Sequence, residues 1–556
     1  MTSNNHLLQG GEMPLHRHRQ NIAFLISLLL FSSVRGQDAG TALSIDRMRA
    51  DVKYLSSDLL QGRGVGTRGE ELATDYIAEV FQKAGLKPMG DNGTFFQKVP
   101  LVLVKTKPEA TLEIIKGGSN VGLRMEEEFV GVTHCQRDER FDAEAVFVGH
   151  GITAPEYGWD DYQGIDVTGK VVVLFTNEPP SEDKSFFQGK SLTYYGRWTY
   201  KFEEATRRGA KAVFIIHTPE TAGYPYSVVR TVKGAQLLRD PNAPALAFAG
   251  WLSSQGGEKL LAQAGMTVNS ALKQADTPGF KPVSLGLRLK GNIPTSIQKI
   301  LSRNVVGAIE GSDPVLKSEA VLFSAHWDHL GMNRSSTGVE EIYSGAQDNA
   351  SGCSILMELA RAWSTLTPRP RRTALFVATT AEESGLLGAV HFAAHPVMPL
   401  GKIAMNFNFD MVSPIGEPES IVLNGAERTT AWEMLQETAR RHSLSIEPDH
   451  RAHLGTFYRS DHFALARGGV PAFSVARGER VKGKPADFTK KLVADFIANT
   501  YHTPKDKYQE DWDFAGHPVL IRFALDAAQQ AANAASLPTW KAGDEFLPAR
   551  VRSGVK

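Results

Sequence analysis

The chain is nearly without cysteine: Cys135 and Cys353 are the two it has in 556 residues. One pair is no disulfide framework, so a small cross-linked scaffold is excluded. An excess of charge of one sign is also missing. Lys+Arg and Asp+Glu balance at 61 each, leaving no global field that would draw the chain to nucleic acid or a membrane surface. The apolar run IAFLISLLLF (22–31) is too short to span a bilayer comfortably, and no other stretch reaches that length. There is no internal repeat and no long biased tract. The glycine-rich QGRGVGTRG (61–69) lacks the Gly-Lys-Ser/Thr ending of a phosphate cradle and reads as a flexible turn.

What remains is the composition of a globular protein, 42% apolar and 22% charged, long enough for two to four domains. Arg17 and Arg19 precede the run at 22–31, and SSVRGQDAG follows it. A basic flank, a short apolar stretch and small residues are the grammar of a secretory signal. Residues 1–36 are expected to be that signal, with Met13 as an alternative start, giving a secreted or periplasmic protein without stable membrane insertion.

Helical patterning covers 45–88, with Leu72, Tyr76, Ile77 and Val80 on one stripe and Gly85 as a stop. From about 110 to 290 the texture shifts to short β-type runs such as KVVVLFT (170–176) and AKAVFIIHT (210–218). From 300, strands alternate with helices: AVLFSA (320–325), a helix at 351–364, ALFVATT (374–380), LLGAVHFAAH (386–395), KIAMNFNFDMV (402–412) and a long helix at 518–536. Cys353, Leu356, Leu359, Ala360 and Trp363 share one face of the 351–364 helix, which marks Cys353 as core. Near-continuous apolar strands with crossover helices predict an α/β fold: a mixed, mostly parallel sheet covered on both faces. The last residues read as a loose tail.

Such sheets place their chemistry at the carboxyl ends of the strands. AVLFSA runs into His326-Trp327-Asp328-His329, YSGAQDNASG carries Asp348 before a helix, ALFVATTA runs into Glu382-Glu383, KIAMNFNF into Asp410, and a late loop, YHTPKD, carries His502. A lone strand-end Asp is usually a helix cap and a lone His usually a surface residue; together they form a mixed N/O set suited to Zn²⁺. His326, Asp348, Glu383, Asp410 and His502 are five candidate ligands. Five ligands fill two three-ligand sites if one carboxylate bridges, and ions roughly 3.5–4 Å apart would clamp and acidify a water. Hydrolysis also needs an unbound carboxylate as base, and TTAEES offers one Glu to bind and one to spare. Alternation along a strand would send these two side chains different ways.

The runs SAHWDHLG (324–331), SGAQDNASG (344–352), TAEESGLLGA (380–389), FNFDM (407–411) and YHTPKD (501–506) resemble the M28 family of metallopeptidases, the co-catalytic zinc aminopeptidases. The resemblance implies His326 and Asp410 on one zinc, Glu383 and His502 on the other, Asp348 bridging, Glu382 as general base on a metal-bridging water, and Asp328 orienting His326. It also implies a three-layer peptidase domain. YRSDHFALARGGVPAF (458–473) matches a family stretch near the pocket, which puts Tyr458 and Asp461 beside the substrate. GHGITAPEYGWDDYQGIDVTGKVVVL (149–174) and RRGAKAVFIIH (207–217) are similar, more loosely, to the β-rich protease-associated (PA) domain inserted in many such enzymes.

The expected layout is a signal at 1–36, peptidase at 45–115, PA domain at 116–290, peptidase at 291–537 and a tail at 538–556. The expected activity is that of an exported di-zinc aminopeptidase acting on peptides. A carboxypeptidase or dipeptidase of the same family, glutaminyl-cyclase-like acyl transfer, and a catalytically dead receptor are the alternatives.

Overall fold

The computed structural model describes residues 43–231, 234–334 and 338–555. The expected signal and Met13 lie outside the described residues.

The larger of two main sheets runs in the order 235–237, 96–106, 295–309, 373–379, 320–326, 403–408, 472–477, 420–424 and 445–447, with a short strand, Lys87–Pro88, added to 295–309. Its centre is parallel: Ala320–His326 pairs in parallel with Thr373–Thr379 and Ile403–Asn408, and the latter with Ala472–Arg477. Because strand side chains alternate, these buried strands serve two cores. Val321, Phe323 and Ala325 face one, where Ser351–Ser364 and Gly516–Asn533 pack together with the N-terminal helices Ile45–Leu55 and Arg68–Lys83. Ala320 and Leu322 face the other, with Phe392, Leu465 and Trp540.

The second sheet runs 119–123, 111–116, 283–293, 139–147, 171–175, 212–216, 248–252 and 129–132, also with a parallel centre. It has a core of its own around Phe147, Val173 and Phe214. Thr111–Lys116 lies on this sheet, before the expected boundary at 116. Ala235–Leu237, from the same stretch of chain, instead extends the first sheet by pairing with Phe96–Thr106. The long strands Phe96–Thr106 and Thr295–Ile309 lead into and out of the second sheet.

Two sequence expectations fail here. The 61–69 loop is no loose turn. Arg63 is fully buried and donates to the carbonyls of Leu55 and Ser344 (2.7 and 2.6 Å), Trp327 (2.7 Å) and Gly345 (2.9 Å). Gly62 holds φ +67°, and a Cβ there would sit 2.4 Å from the Tyr343 carbonyl oxygen, so only glycine lets the loop approach this closely. Nor is the end of the chain loose. Trp540, Phe546 and Arg550 are buried, and Arg550 donates to the Pro538 carbonyl at 2.9 Å. Their polar neighbours in sequence masked anchors that pack under the sheet.

Candidate metal centre

Three parallel strands deliver the site at their carboxyl ends. Ala320–His326 ends on His326 itself; Thr373–Thr379 leads to Glu382 and Glu383; Ile403–Asn408 leads to Asp410. His326 Nε2 lies 3.2 Å from Asp410 Oδ1 and 3.3 Å from Asp348 Oδ1. His502 Nε2 lies 3.0 Å from Glu383 Oε2 and 3.3 Å from Asp348 Oδ2. All five candidate ligands therefore converge, and Asp348 faces each imidazole with a different oxygen. Two donor groups of the kind that holds a metal share Asp348: His326 with Asp410, and His329 with Glu383.

Supporting contacts fix these side chains. Asp506 accepts the backbone N–H of Gln347 (2.9 Å) and of Asp348 (3.0 Å). Asn349 donates to the Phe409 carbonyl and accepts from the backbone of Gly352 and Met411, locking the helix start to the strand end beside Asp410. Non-glycine residues with left-handed backbone cluster here, Ala381 (φ 51°), Met411 (φ 52°) and His502 (φ 56°), as strained residues do at functional sites.

The two glutamates diverge for a reason other than strand alternation. The strand stops at Thr379, and Glu382–Ser384 form a 3₁₀ turn. Glu383 meets His502 and, through Oε1, His329 Nδ1 at 2.5 Å. Among the described residues the Glu382 carboxylate takes no hydrogen bond.

Asp328 stands beside His326, its carboxylate Oδ1 3.8 Å from Nδ1 and beyond hydrogen-bond length. Its backbone carbonyl, at 3.2 Å, is the hydrogen-bond partner of His326 Nδ1, while its carboxylate accepts from the Glu382 backbone N–H at 3.0 Å. Tyr458 does not join the cluster: it is buried against Tyr194 and Phe463, and its hydroxyl donates to Glu545 at 3.2 Å. The aromatic surroundings and the packed chain end claim it. Asp461 lies behind the site, bonded to the Thr379 hydroxyl at the strand's last residue. Sequence reasoning missed His329, Asp506 and Arg63, although SAHWDHLG and YHTPKD contain the first two.

Burial and mutual repulsion shape the charges. Burial holds Glu382 well above the usual carboxylate range, with Asp410 and Glu383 adding to it against His326. Burial likewise pushes Asp328 up to about 8 and Asp461 up to about 6. Burial alone would lower His502, but Glu383 and Asp348 push it up to about 10. Cys353 is core, as expected: its thiol donates to the His326 carbonyl, and burial pushes it up to about 12.

This donor set fits zinc. Two imidazoles and three carboxylates converge in a buried site, and neither ring nitrogen of His502 makes a hydrogen bond among the described residues. Buried carboxylates this close require a compensating cation. Arg63, a fully buried cation 3.4 Å from the Asp348 carbonyl oxygen, is occupied by backbone carbonyls.

Residues 304–521 match the model of Peptidase family M28. The chain is 25% identical over 371 residues to aminopeptidase YwaD of Bacillus subtilis, covering 65% of this chain and 63% of that protein. It is 26% identical over 405 residues to the probable leucine aminopeptidase 2 of Aspergillus oryzae, covering 70% and 65%. The chain thus spans less than two thirds of either relative's length. In fold it is similar to the solved aminopeptidase from Aneurinibacillus sp. strain AM-1, with a TM-score of 0.51 at 19% identity over 90% of this chain and 97% of that one. The family match spans the residues that carry all five convergent donors.

Proposed function

We propose that the protein is an exported di-zinc exopeptidase that releases N-terminal residues from peptides. The observation that carries the reading is Asp348 lying between two imidazole–carboxylate groups, with an unengaged carboxylate, Glu382, next in sequence to one of them. His326 and Asp410 would hold one ion, His502 and Glu383 the other, and Asp348 both. When bound, such ions act as Lewis acids on a peptide carbonyl and make water acidic enough to attack near neutral pH.

The chain's own residues supply the proton transfers. Glu382 takes a proton from the attacking water as its oxygen bonds to the scissile carbonyl carbon. It returns that proton to the amine nitrogen as the C–N bond breaks. Its raised affinity for protons suits it to both halves of the exchange. Asp328 fixes the backbone from which Glu382 projects, and Asp506 fixes that of Asp348. The second sheet, read as a PA domain, would form one wall of the substrate approach.

Mature protein is expected to hydrolyse aminoacyl-p-nitroanilides, to lose that activity with a chelator and to regain it with Zn²⁺. Activity indifferent to chelation would refute the reading.

A further inference from the structure

A cavity of about 640 Å³ opens where the second sheet's loops meet the 449–459 segment of the first-sheet domain. Two arginines line it, Arg197 and Arg459. Arg197 packs against the 455 turn, where a Cβ added to Gly455 would sit 3.2 Å from Arg197 Cδ. Its Nε is shut off from solvent and has no hydrogen-bond partner among the described residues. Arg459 uses Nε on the Leu454 carbonyl (2.9 Å) and lies over the Tyr224 ring at 5.7 Å. No carboxylate among the described residues pairs with either guanidinium, and Arg459 raises the cost of charging Arg197. Burial and Arg459 together push Arg197 down to about 9.

Four acids share the cavity wall: Glu182 pairs with Lys190 at 2.9 Å, Glu220 stands beside His217, and Glu178 and Asp449 are held by hydrogen bonds. Glu178 is held by the backbone N–H (2.8 Å) and hydroxyl of Thr193. Asp449 is held by Asn424, Thr456 and the Arg451 backbone. Two neighbouring guanidiniums with no carboxylate paired to either are an unfavourable arrangement that a substrate carboxylate would relieve, and guanidinium forks match carboxylates in shape.

Two aromatic residues link the cavity to the metal centre. Trp198, next to Arg197, lies 3.8 Å from where a Cβ on Gly385 would project, just past Glu382-Glu383. Tyr501 stacks on His502 at 3.9 Å and is within electrostatic reach of both arginines.

Resting on the peptidase reading, we infer that Arg197 and Arg459 form a clamp for a carboxylate on the substrate, making the preferred substrates peptides with a negative charge close to the cleaved bond. The carboxylate is either the free C-terminus of a short peptide or an acidic side chain.

Calorimetric titration of the zinc-loaded Glu382→Gln protein tests this without turnover, using alanyl-alanine, alanyl-alaninamide, alanyl-aspartamide and alanyl-asparaginamide. The clamp predicts tighter binding of the charged member of at least one pair, by roughly tenfold to a hundredfold. The first pair reports a terminal carboxylate and the second a side chain. Arg197→Ala and Arg459→Ala should each bring that preference towards one, with Arg197→Lys retaining part of it. Equal binding of all four peptides to the Glu382→Gln protein, whose fold its zinc content and melting temperature check, overturns the proposal; so does a preference that survives both alanine variants. Hydrolysis of aminoacyl-p-nitroanilides, which carry no carboxylate, reports separately on the peptidase activity.

Discussion

Asp328 Oδ1 lies 3.0 Å from the backbone nitrogen of Glu382 and accepts its hydrogen. One strand end thus anchors the turn that follows the neighbouring strand, fixing the direction of Glu382. Asp328→Ala should lower kcat by roughly tenfold to a hundredfold, the usual effect of losing such a supporting contact, with zinc content retained. Asp328→Asn keeps an acceptor oxygen at that position and should recover most of the loss. Equal damage from both variants would mean that the charge, and not the hydrogen bond, matters.

Arg63 is a structural keystone for the same region. It ties the 345 turn, which precedes Asp348, to the end of the first helix and to Trp327. Arg63→Ala leaves several buried carbonyls without donors and should destabilise the protein by at least about 3 kcal/mol. Arg63→Lys should not restore the melting temperature, because one ammonium cannot reproduce the planar fork.

Acid sensitivity should come from two histidines away from the metal centre. His462 and His517 are buried, and neither makes a hydrogen bond through its ring among the described residues. Burial pushes each down to about 3. An unfolded histidine takes up its proton near pH 6.5, so on acidification the unfolded state binds protons that the folded state refuses. The contribution to stability is full above about 6.5 and falls as pH drops towards 3, by about 1.4 kcal/mol per pH unit for each histidine. Melting temperatures measured between pH 7 and 4 should fall, and His517→Gln should flatten the slope relative to the wild type.

The sequence carried much of this site because metal chemistry is local in type. Strand-end His and carboxylates are costly to bury, so their recurrence at three strand ends and in two loops marked a shared location. The strand ends at His326 and Thr379 followed from apolar runs bounded by polar residues. Contacts made by backbone were invisible. Nothing in QGRGVGTRG shows that Arg63 will meet four carbonyls from three separate segments, and the pattern of 538–556 hides that Trp540 and Arg550 are buried. Tyr458 misled because its motif lies beside the site while its ring packs away from it. His329 was passed over because its part depends on where Glu383 turns after its strand, which only the fold determines.

His329 and His502 make a separable pair. His502 Nε2 faces both Asp348 and Glu383, whereas His329 Nδ1 is engaged by Glu383 alone. His502→Gln should therefore lose about one zinc per chain, while His329→Gln should keep both and lose part of its activity. Metal analysis after dialysis distinguishes the two.

The central claim is that Glu382 moves protons and Glu383 holds metal. Zinc per chain and kcat, measured together on Glu382→Gln and Glu383→Gln, test it most directly. The first should keep full zinc content with kcat lowered by roughly a hundredfold to ten-thousandfold, and the second should lose zinc. Wild-type turnover in Glu382→Gln, or equal zinc content in both variants, would contradict it.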